Sequence, residues 1–177
     1  QKAYGSAIDE SRYHQNKSML TLNEATAGYT PLNVVIVGDG YQKKDLQKGG
    51  KFERAARSAC EAFFGVEPYK SFRDRFNVMM VAYESVDEGI SVEGGVQKNT
   101  CFKSYCKGSG NTYVTLLGED YSSVINVVKN DLGLSSDASY YRTIVLMLIN
   151  TSEGVGSNAA VYRASYGNEN LLGESYA

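Results

Sequence analysis

Tryptophan is absent from this 177-residue chain, and histidine occurs once. Each scarcity excludes something. A metal site built on two histidines one helical turn apart needs a second imidazole that these residues do not supply. Accordingly there is no HExxH stretch, no CxxC pair and no EF-hand loop, and a zinc site made wholly within the chain is not expected. The single His14 lies in a polar leader without an orienting partner nearby, so it reads as a solvated surface residue and not as a catalytic base. Cysteine is scarce as well, and its odd count of three argues against a disulfide-framework domain. Cys60 falls within an apolar helical pattern and reads as a buried thiol, whereas Cys101 and Cys106 are spaced either to close a small loop or to remain reduced. Long apolar runs are missing too. The longest, residues 144–149, is far short of the roughly 20 residues that span a bilayer. Nor is there an excess of one charge: the formal net charge of -2 leaves no electrostatic footprint for nucleic acid. The first residues lack a signal-peptide apolar region, which also fits an exported protein whose signal has been removed.

What is present reads as one α/β domain. Residues 1–30 are polar and irregular, with one short strand at 18–23, and read as a leader or linker. Residues 31–177 form the domain. Leu32-Asn33-Val34-Val35-Ile36-Val37 is a β-branched run closed by Gly38-Asp39-Gly40, the pattern of a strand covered on both faces. The period then changes. Phe52, Ala55, Ala56, Ala59, Cys60, Phe63 and Phe64 make one helical stripe, with Lys51, Glu53, Arg54, Arg57 and Glu61 opposite, and Gly65 is placed to stop the helix as a C′ glycine.

A second apolar strand is expected over 76–83 and a third over 143–149, the latter central in its sheet because it is wholly apolar. Residues 84–110 are rich in Gly, Ser and charge without a sustained period, the mark of a binding loop or mobile segment. A short strand is expected at 113–117. Tyr121, Val124, Ile125, Val128 and Leu132 make a second helical stripe, capped by Asp120 or Ser122 and ended by Gly133. Residues 158–165 mix apolar and polar positions as an edge strand does. Residues 166–177 show no nameable element, and the chain reads as cut from something longer.

Tests for chemistry return little. Gly38-Asp39-Gly40 fails both the Walker pattern and the GxGxxG fingerprint, and an aspartate there opposes phosphate. Asp39 and Asp45 together are a conceivable oxygen site for a divalent cation, but Asp and Gly are the ordinary residues of a turn, and the turn is the favoured reading. Glu67, Arg73, Asp74 and Arg75 suggest an ion-pair clasp between layers. The neighbours Asp87 and Glu88 are a weak acid–base pair, since most adjacent loop carboxylates are solvated. No catalytic residue is assigned.

Two blocks are specific enough to resemble a known family. One is Val34-Val35-Ile36-Val37-Gly38-Asp39-Gly40-Tyr41, with Asp45 and Gly50-Lys51-Phe52 after it. The other is Phe63-Phe64 followed by Glu67-Pro68-Tyr69-Lys70-Ser71-Phe72-Arg73-Asp74-Arg75-Phe76-Asn77-Val78. Asn99-Thr100, the strand at 144–150 and the turn Gly154-Val155-Gly156-Ser157 continue the same order. Together they resemble the IgA-peptidase-like zinc metallopeptidases, secreted bacterial enzymes related in fold to the zincins.

The resemblance implies an α/β fold of the zincin-like upper-subdomain type, a mixed twisted sheet of about four to five strands with backing helices and an exposed edge strand. It implies protein or peptide substrate, zinc in the complete parent protein and none bound by this chain alone. It also implies a histidine-bearing HExGH helix in the missing C-terminal part of the same catalytic domain, where two His grip the metal and Glu activates water. In that scheme the strand at 158–165 pairs with extended substrate, so Gly156, Ser157, Asn158, Ala160 and Tyr162 are the expected substrate-binding residues at the edge strand and cleft rim. Asp39 would serve strand exit and packing. Two other classes compete: a non-catalytic module of a secreted protein that holds protein or glycan through the 84–110 loop, and a nucleotide-binding α/β domain, which the missing phosphate-loop lysine disfavours.

Overall fold

The computed structural model describes residues 17–28, 30–107, 113–136 and 140–152, together with the backbone of 159–165 and 168–176. Its centre is a four-stranded sheet made from β1 (Lys17–Asn23), β2 (Leu32–Asp39), β3 (Phe76–Tyr83) and β7 (Thr143–Ile149) in the order β1-β3-β2-β7. β2 runs parallel to β3 and to β7, with Val34 opposite both Val78 and Ile144, while β1 is antiparallel to β3. The sheet is mixed, as the α/β reading requires.

Alternation of side chains across β2 and β3 sorts the core into two halves. Val34, Ile36, Val78, Met80 and Ala82 meet Phe52, Ala56, Cys60 and Phe64 of helix α1 (Lys51–Phe63) and its C-cap. Val35, Val37, Met79 and Val81 face the other way, onto Phe102, Leu116, Val127, Val128, Leu132 and Leu134. Both faces of these strands are therefore covered, and the helical stripe of α1 is the buried one. α1 lacks a side-chain N-cap hydrogen bond at Gly50. Glu53 supplies the substitute: its carboxylate accepts the Gly49 N–H at 2.8 Å and is held by Arg57 one turn on at 2.7 Å. At Gly38 a Cβ would stand 2.5 Å from the Phe52 ring, so only glycine lets α1 lie this close to the strand.

The second layer is smaller. β4 (Ser91–Val92), β5 (Ser104–Lys107) and β6 (Tyr113–Leu116) form a three-stranded sheet, so the segment expected to be irregular carries two short strands. Helix α2 (Ser122–Asn126) follows; its N-cap is Tyr121, without a side-chain cap, so neither Asp120 nor Ser122 is the cap, and Asp120 instead closes the turn before the helix by accepting the Ser122 N–H at 3.0 Å. The stripe expected as one helix widens into a π-turn over Val127–Asp131, which buries Val127 and Val128 and brings the Asp131 carboxylate to the Tyr83 hydroxyl. Gly133 ends it with φ 67°.

Three expectations need correction. The strand near the N-terminus is no linker element: β1 is an outer strand of the sheet, with Leu20 buried in the core. β7 is not central among the described residues. It closes one side of the sheet, its side chains are half-buried and Ile144 is 42 % exposed, because an apolar run reports covered faces and not the number of hydrogen-bonded neighbours. Residues 166–177 do include an element. β9 (Asn168–Tyr176) pairs antiparallel with β8 (Ala159–Ser165), an inter-strand match that a segment with Asn168, Asn170 and Gly173 does not announce by its own propensity. Gly65 does stand at C′, directly after the C-cap Phe64, but without the left-handed conformation usual for such a glycine; its N–H closes a tight turn onto the Ala62 carbonyl at 3.0 Å.

The charged cluster does form a clasp, but with other members. Arg73 grips Glu61 with two nitrogens at 2.7 and 3.0 Å, lies over the Phe64 ring and donates to Asn23 at 3.1 Å. Glu67 instead accepts the Ser71 N–H at 3.2 Å, and Asp74 and Arg75 sit 3.7 Å apart. No helix among the described residues is long and apolar enough to cross a membrane.

Candidate functional site

Parallel strands end together, and the loops leaving their carboxyl ends make the crevice where open α/β sheets ordinarily carry their sites. Here β2, β3 and β7 deliver Asp39, Tyr83 and Ile149 to that end, followed by Gly40, Ser85 and Asn150. Asp39 is the centre. It is fully buried, and a buried carboxylate is tolerated only if its lone pairs are met.

They are met by the incoming loop. Oδ1 accepts the Phe102 N–H at 2.9 Å and lies 3.2 Å from the Cys101 thiol and 3.4 Å from the Ser85 hydroxyl. Oδ2 accepts the Ser104 N–H at 2.8 Å and the Thr100 hydroxyl at 2.7 Å. Ser85 completes the knot by accepting the N–H groups of Gly40 and Cys101, each at 3.0 Å. The Asp39 side chain thus ties the 100–104 segment onto the end of β2. Gly40 adopts φ 74° directly under the loop, where a Cβ would collide with the Gly89 backbone carbonyl.

Asn150 joins from β7. Its backbone N–H donates to the Asp39 carbonyl at 2.9 Å, and its side-chain amide donates to the Gly40 carbonyl at 3.0 Å and to Glu88 at 3.3 Å. Glu88 also pairs with Lys51 at 3.2 Å and Lys44 at 3.4 Å, and those two lysines hold its carboxyl below the usual carboxylate range.

Asp45 does not join Asp39 to hold a cation. Its carboxylate accepts the Gln42 N–H at 3.0 Å and closes its own 3-10 turn. Asp87 likewise turns to the Asn99 N–H at 2.7 Å, so the Asp87–Glu88 pair is divided between two tasks. Cys101 and Cys106 carry no bond to each other: the first faces Asp39 and the second is buried within β5. Burial pushes the Cys101 thiol far above its ordinary range, and the adjacent Asp39 charge adds to the shift. Cys60 is a buried free thiol, as its place in the helical stripe requires.

Zinc needs deprotonated thiolate, neutral imidazole or carboxylate ligands in a convergent set. Among the described residues no three His, Cys, Asp or Glu converge in that way. Asp39 and Cys101 are spent on loop hydrogen bonds, and burial disfavours the thiolate form that zinc would need. These residues do not fit the metal.

Of the substrate-binding residues expected from sequence, Gly156, Ser157 and Asn158 lie outside the described residues, as does His14. Ala160 and Tyr162 stand in β8, opposite Ser175 and Gly173 of β9. The hub residues Ser85, Thr100 and Asn150 escaped sequence reasoning as site residues, because they reach Asp39 and Gly40 from 45 to 110 positions away along the chain. Serine, threonine and asparagine in loops carry no spacing signal; the buried aspartate at a strand end was the one legible hint.

A family model described as IgA Peptidase M64 matches residues 20–170. No curated protein matches the chain. The matched span runs from within β1, through the sheet and the Asp39 hub, into β9, so it covers the architecture and the site together, and the chain belongs to the IgA peptidase M64 family.

Proposed function

We propose that this chain is the N-terminal portion of a secreted bacterial zinc-dependent endopeptidase, inactive on its own because its zinc ligands lie in residues other than these. The family makes it a peptidase-like domain of the metallopeptidase class. The observation that carries the finer reading is the match over 20–170 in a sequence with one histidine, which is too few for a two-histidine zinc helix. Protein is then the substrate. What the chain contributes is scaffold and binding: a sheet closed on both faces along β2 and β3, a polar hub at the strand ends, and β8.

An extended peptide would add to β8 through main-chain hydrogen bonds. Among the described residues β9 pairs with one side of β8, and in this reading the substrate takes the other. Ala160 and Tyr162 would sit along that strand, with Gly156, Ser157 and Asn158 forming the rim before it. The residues described here do not hold zinc, so any Lewis-acid chemistry would have to come from a metal held by the histidine helix expected in the parent.

The test compares the 177-residue chain with the parent protein extended through that helix. The short chain is expected to copurify with no stoichiometric zinc and to cleave no peptide. The parent is expected to hold one zinc and to lose cleavage on chelation. Chelator-sensitive cleavage by the short chain, or a parent whose peptide binding ignores chelator and produces no cleavage, would overturn the proposal; the second result would favour a binding module.

A further inference from the structure

We infer that the exposed basic face made by the turn after β2 and the first turns of α1 is a docking surface for an acidic polypeptide segment, with Glu88 as its resident competitor; the inference stands apart from the peptidase reading above. Residues 43–57 hold six lysines and arginines against two acidic residues, in a chain whose formal net charge is -2. Both acidic side chains are turned inward. Asp45 is buried and accepts the Gln42 N–H, while Glu53, with a side chain only 12 % exposed, is taken up by the Gly49 N–H and by Arg57. Lys43, Lys44, Lys48, Lys51 and Arg54 all stay exposed. What this stretch presents to a partner is therefore almost wholly cationic.

The turn gathers these charges. The Gln47 amide donates to the Lys43 carbonyl at 3.1 Å, the Gly50 N–H closes onto the Gln47 carbonyl, and Arg54 reaches back to the Gly49 carbonyl. Lys51 is the first residue of α1, where the positive end of the helix dipole disfavours a cation. A local rule broken on an exposed surface, with no packing to require it, marks a place where function sets the residue.

Glu88 shows what the face accepts. From 44 and 37 positions away its carboxylate is taken by Lys44 at 3.4 Å and Lys51 at 3.2 Å, and the Asn150 amide donates to it at 3.3 Å. Three donors from three segments thus converge on one exposed carboxylate. An acidic side chain of a partner offers the same group to the same donors, and the exchange needs only that Glu88 swing aside. At the margin Val86 is 68 % exposed, its carbonyl held by the Gln42 amide at 2.8 Å. Polypeptide matches that mixture, with discrete carboxylates and apolar side chains between them. A nucleic-acid backbone, charged at every step, would meet Glu88. A membrane surface asks for more apolar anchor than one valine, and no large apolar side chain of residues 43–57 is exposed.

The experiment uses the parent protein and a fluorescein-labelled decapeptide of D-glutamate, which resists cleavage, with the D-serine decapeptide as its uncharged counterpart. Fluorescence anisotropy should show binding of the glutamate peptide that weakens as salt rises, and none of the serine peptide. Lys44→Glu and Lys51→Glu should each raise Kd at least about fivefold, since each removes an attraction and adds a repulsion. Lys70→Glu, the same change on an exposed residue of the α1–β3 connection, should leave Kd within about twofold. A glutamate in the first helical turn is favoured by the dipole, so Lys51→Glu should keep its Tm and its loss of binding is not a loss of structure. Glu88→Gln should lower Kd about two- to fivefold, and Glu24→Gln, an equal change of charge elsewhere on the surface, should not.

Failure of the glutamate peptide to bind would overturn the docking surface. So would equal losses in Lys51→Glu and Lys70→Glu, or weaker binding in Glu88→Gln. Tighter binding of a single-stranded oligonucleotide or of phosphatidylserine vesicles through the same lysines would overturn it as well, and would assign the face to nucleic acid or to membrane. Peptide binding as expected in a parent that shows no chelator-sensitive cleavage would remove the peptidase reading and leave the docking surface standing.

Discussion

Asp39 shows how one side chain can decide a neighbourhood. Its two oxygens take backbone N–H groups from Phe102 and Ser104 and a hydroxyl from Thr100, all in a site shielded from water. Hydrogen bonds to a charged acceptor contribute about 1.5–3 kcal/mol each, and removing the acceptor leaves buried donors unmet. Asp39→Ala is therefore expected to lower unfolding stability by at least about 3 kcal/mol in a denaturant titration. Asp39→Asn should fare little better, since the amide must point one N–H at a donor. A loss below about 1 kcal/mol in both would show that the loop is held by other means.

Cys101 lives under the same control. Burial and the Asp39 charge disfavour its thiolate, which is the reactive form. In the folded protein at pH 8 its alkylation should be much slower than that of an exposed thiol, and peptide mapping after timed iodoacetamide treatment would read this. Rapid labelling of Cys101 in protein that remains folded would contradict the geometry.

Among the elements, the turn that leaves β2 carries the tightest constraint. Gly40 combines a left-handed φ of 74° with direct contact against the Gly89 backbone, which cannot swing aside as a side chain would. Backbone strain of this kind costs about 1–3 kcal/mol before any collision is counted. Gly40→Ala should therefore destabilise by at least about 2 kcal/mol, with thermal unfolding as the measure. The same substitution at Gly49, which has φ 69° but nothing within 4 Å of a Cβ, should be milder. If the two variants unfold alike, the Gly40–Gly89 crossing is not what distinguishes them.

α1 makes the complementary point. Its face was plain from the spacing of Phe52, Ala56 and Cys60, and Phe52 is fully buried between Gly38 and Tyr41. Phe52→Ala should cost about 3–5 kcal/mol, the range for a large core ring removed without collapse of the site.

At the scale of the whole molecule, titration should limit stability from both sides. Glu53, Glu61, Glu88 and Asp120 all have carboxyls held below their ordinary range, by Gly49 and Arg57, by Arg73, by the two lysines and by Ser122 respectively. A lowered folded pKa contributes stability that is present above the unfolded pKa and is lost as pH falls through the folded one. Tyr83 and Cys101 are shifted the other way, Tyr83 by burial and then by its bond to Asp131. A raised folded pKa gives stability present below the unfolded pKa and lost as pH rises beyond it. Tm is thus expected to be flat from about pH 5 to 8, to fall below about pH 4.5, and to fall again above about pH 8.5–10. Tyr83→Phe should reduce the alkaline fall, and an identical alkaline limb in that variant would remove Tyr83 from the account.

Much of this architecture could be read before any coordinates. The apolar run at 32–37, the helical stripe from Phe52 to Phe64 and the apolar strand after Arg75 are local patterns whose period reports which faces are covered, and the sheet, its α/β class and α1 followed from them. The two residue blocks that carry the family resemblance span β2 with the turn after it, the two ends of α1, and the segment that leads into β3, and the family match includes both. What local pattern does not encode is which strand stands beside which. The place of β1 next to β3, the outer position of β7 and the pairing of β9 with β8 depend on hydrogen bonds between segments distant in sequence. The hub is of the same kind. Asp39, Ser85, Thr100 and Asn150 are ordinary turn and loop residues until the sheet brings their strand ends together, and only burial turns a turn aspartate into the acceptor on which a whole loop is hung.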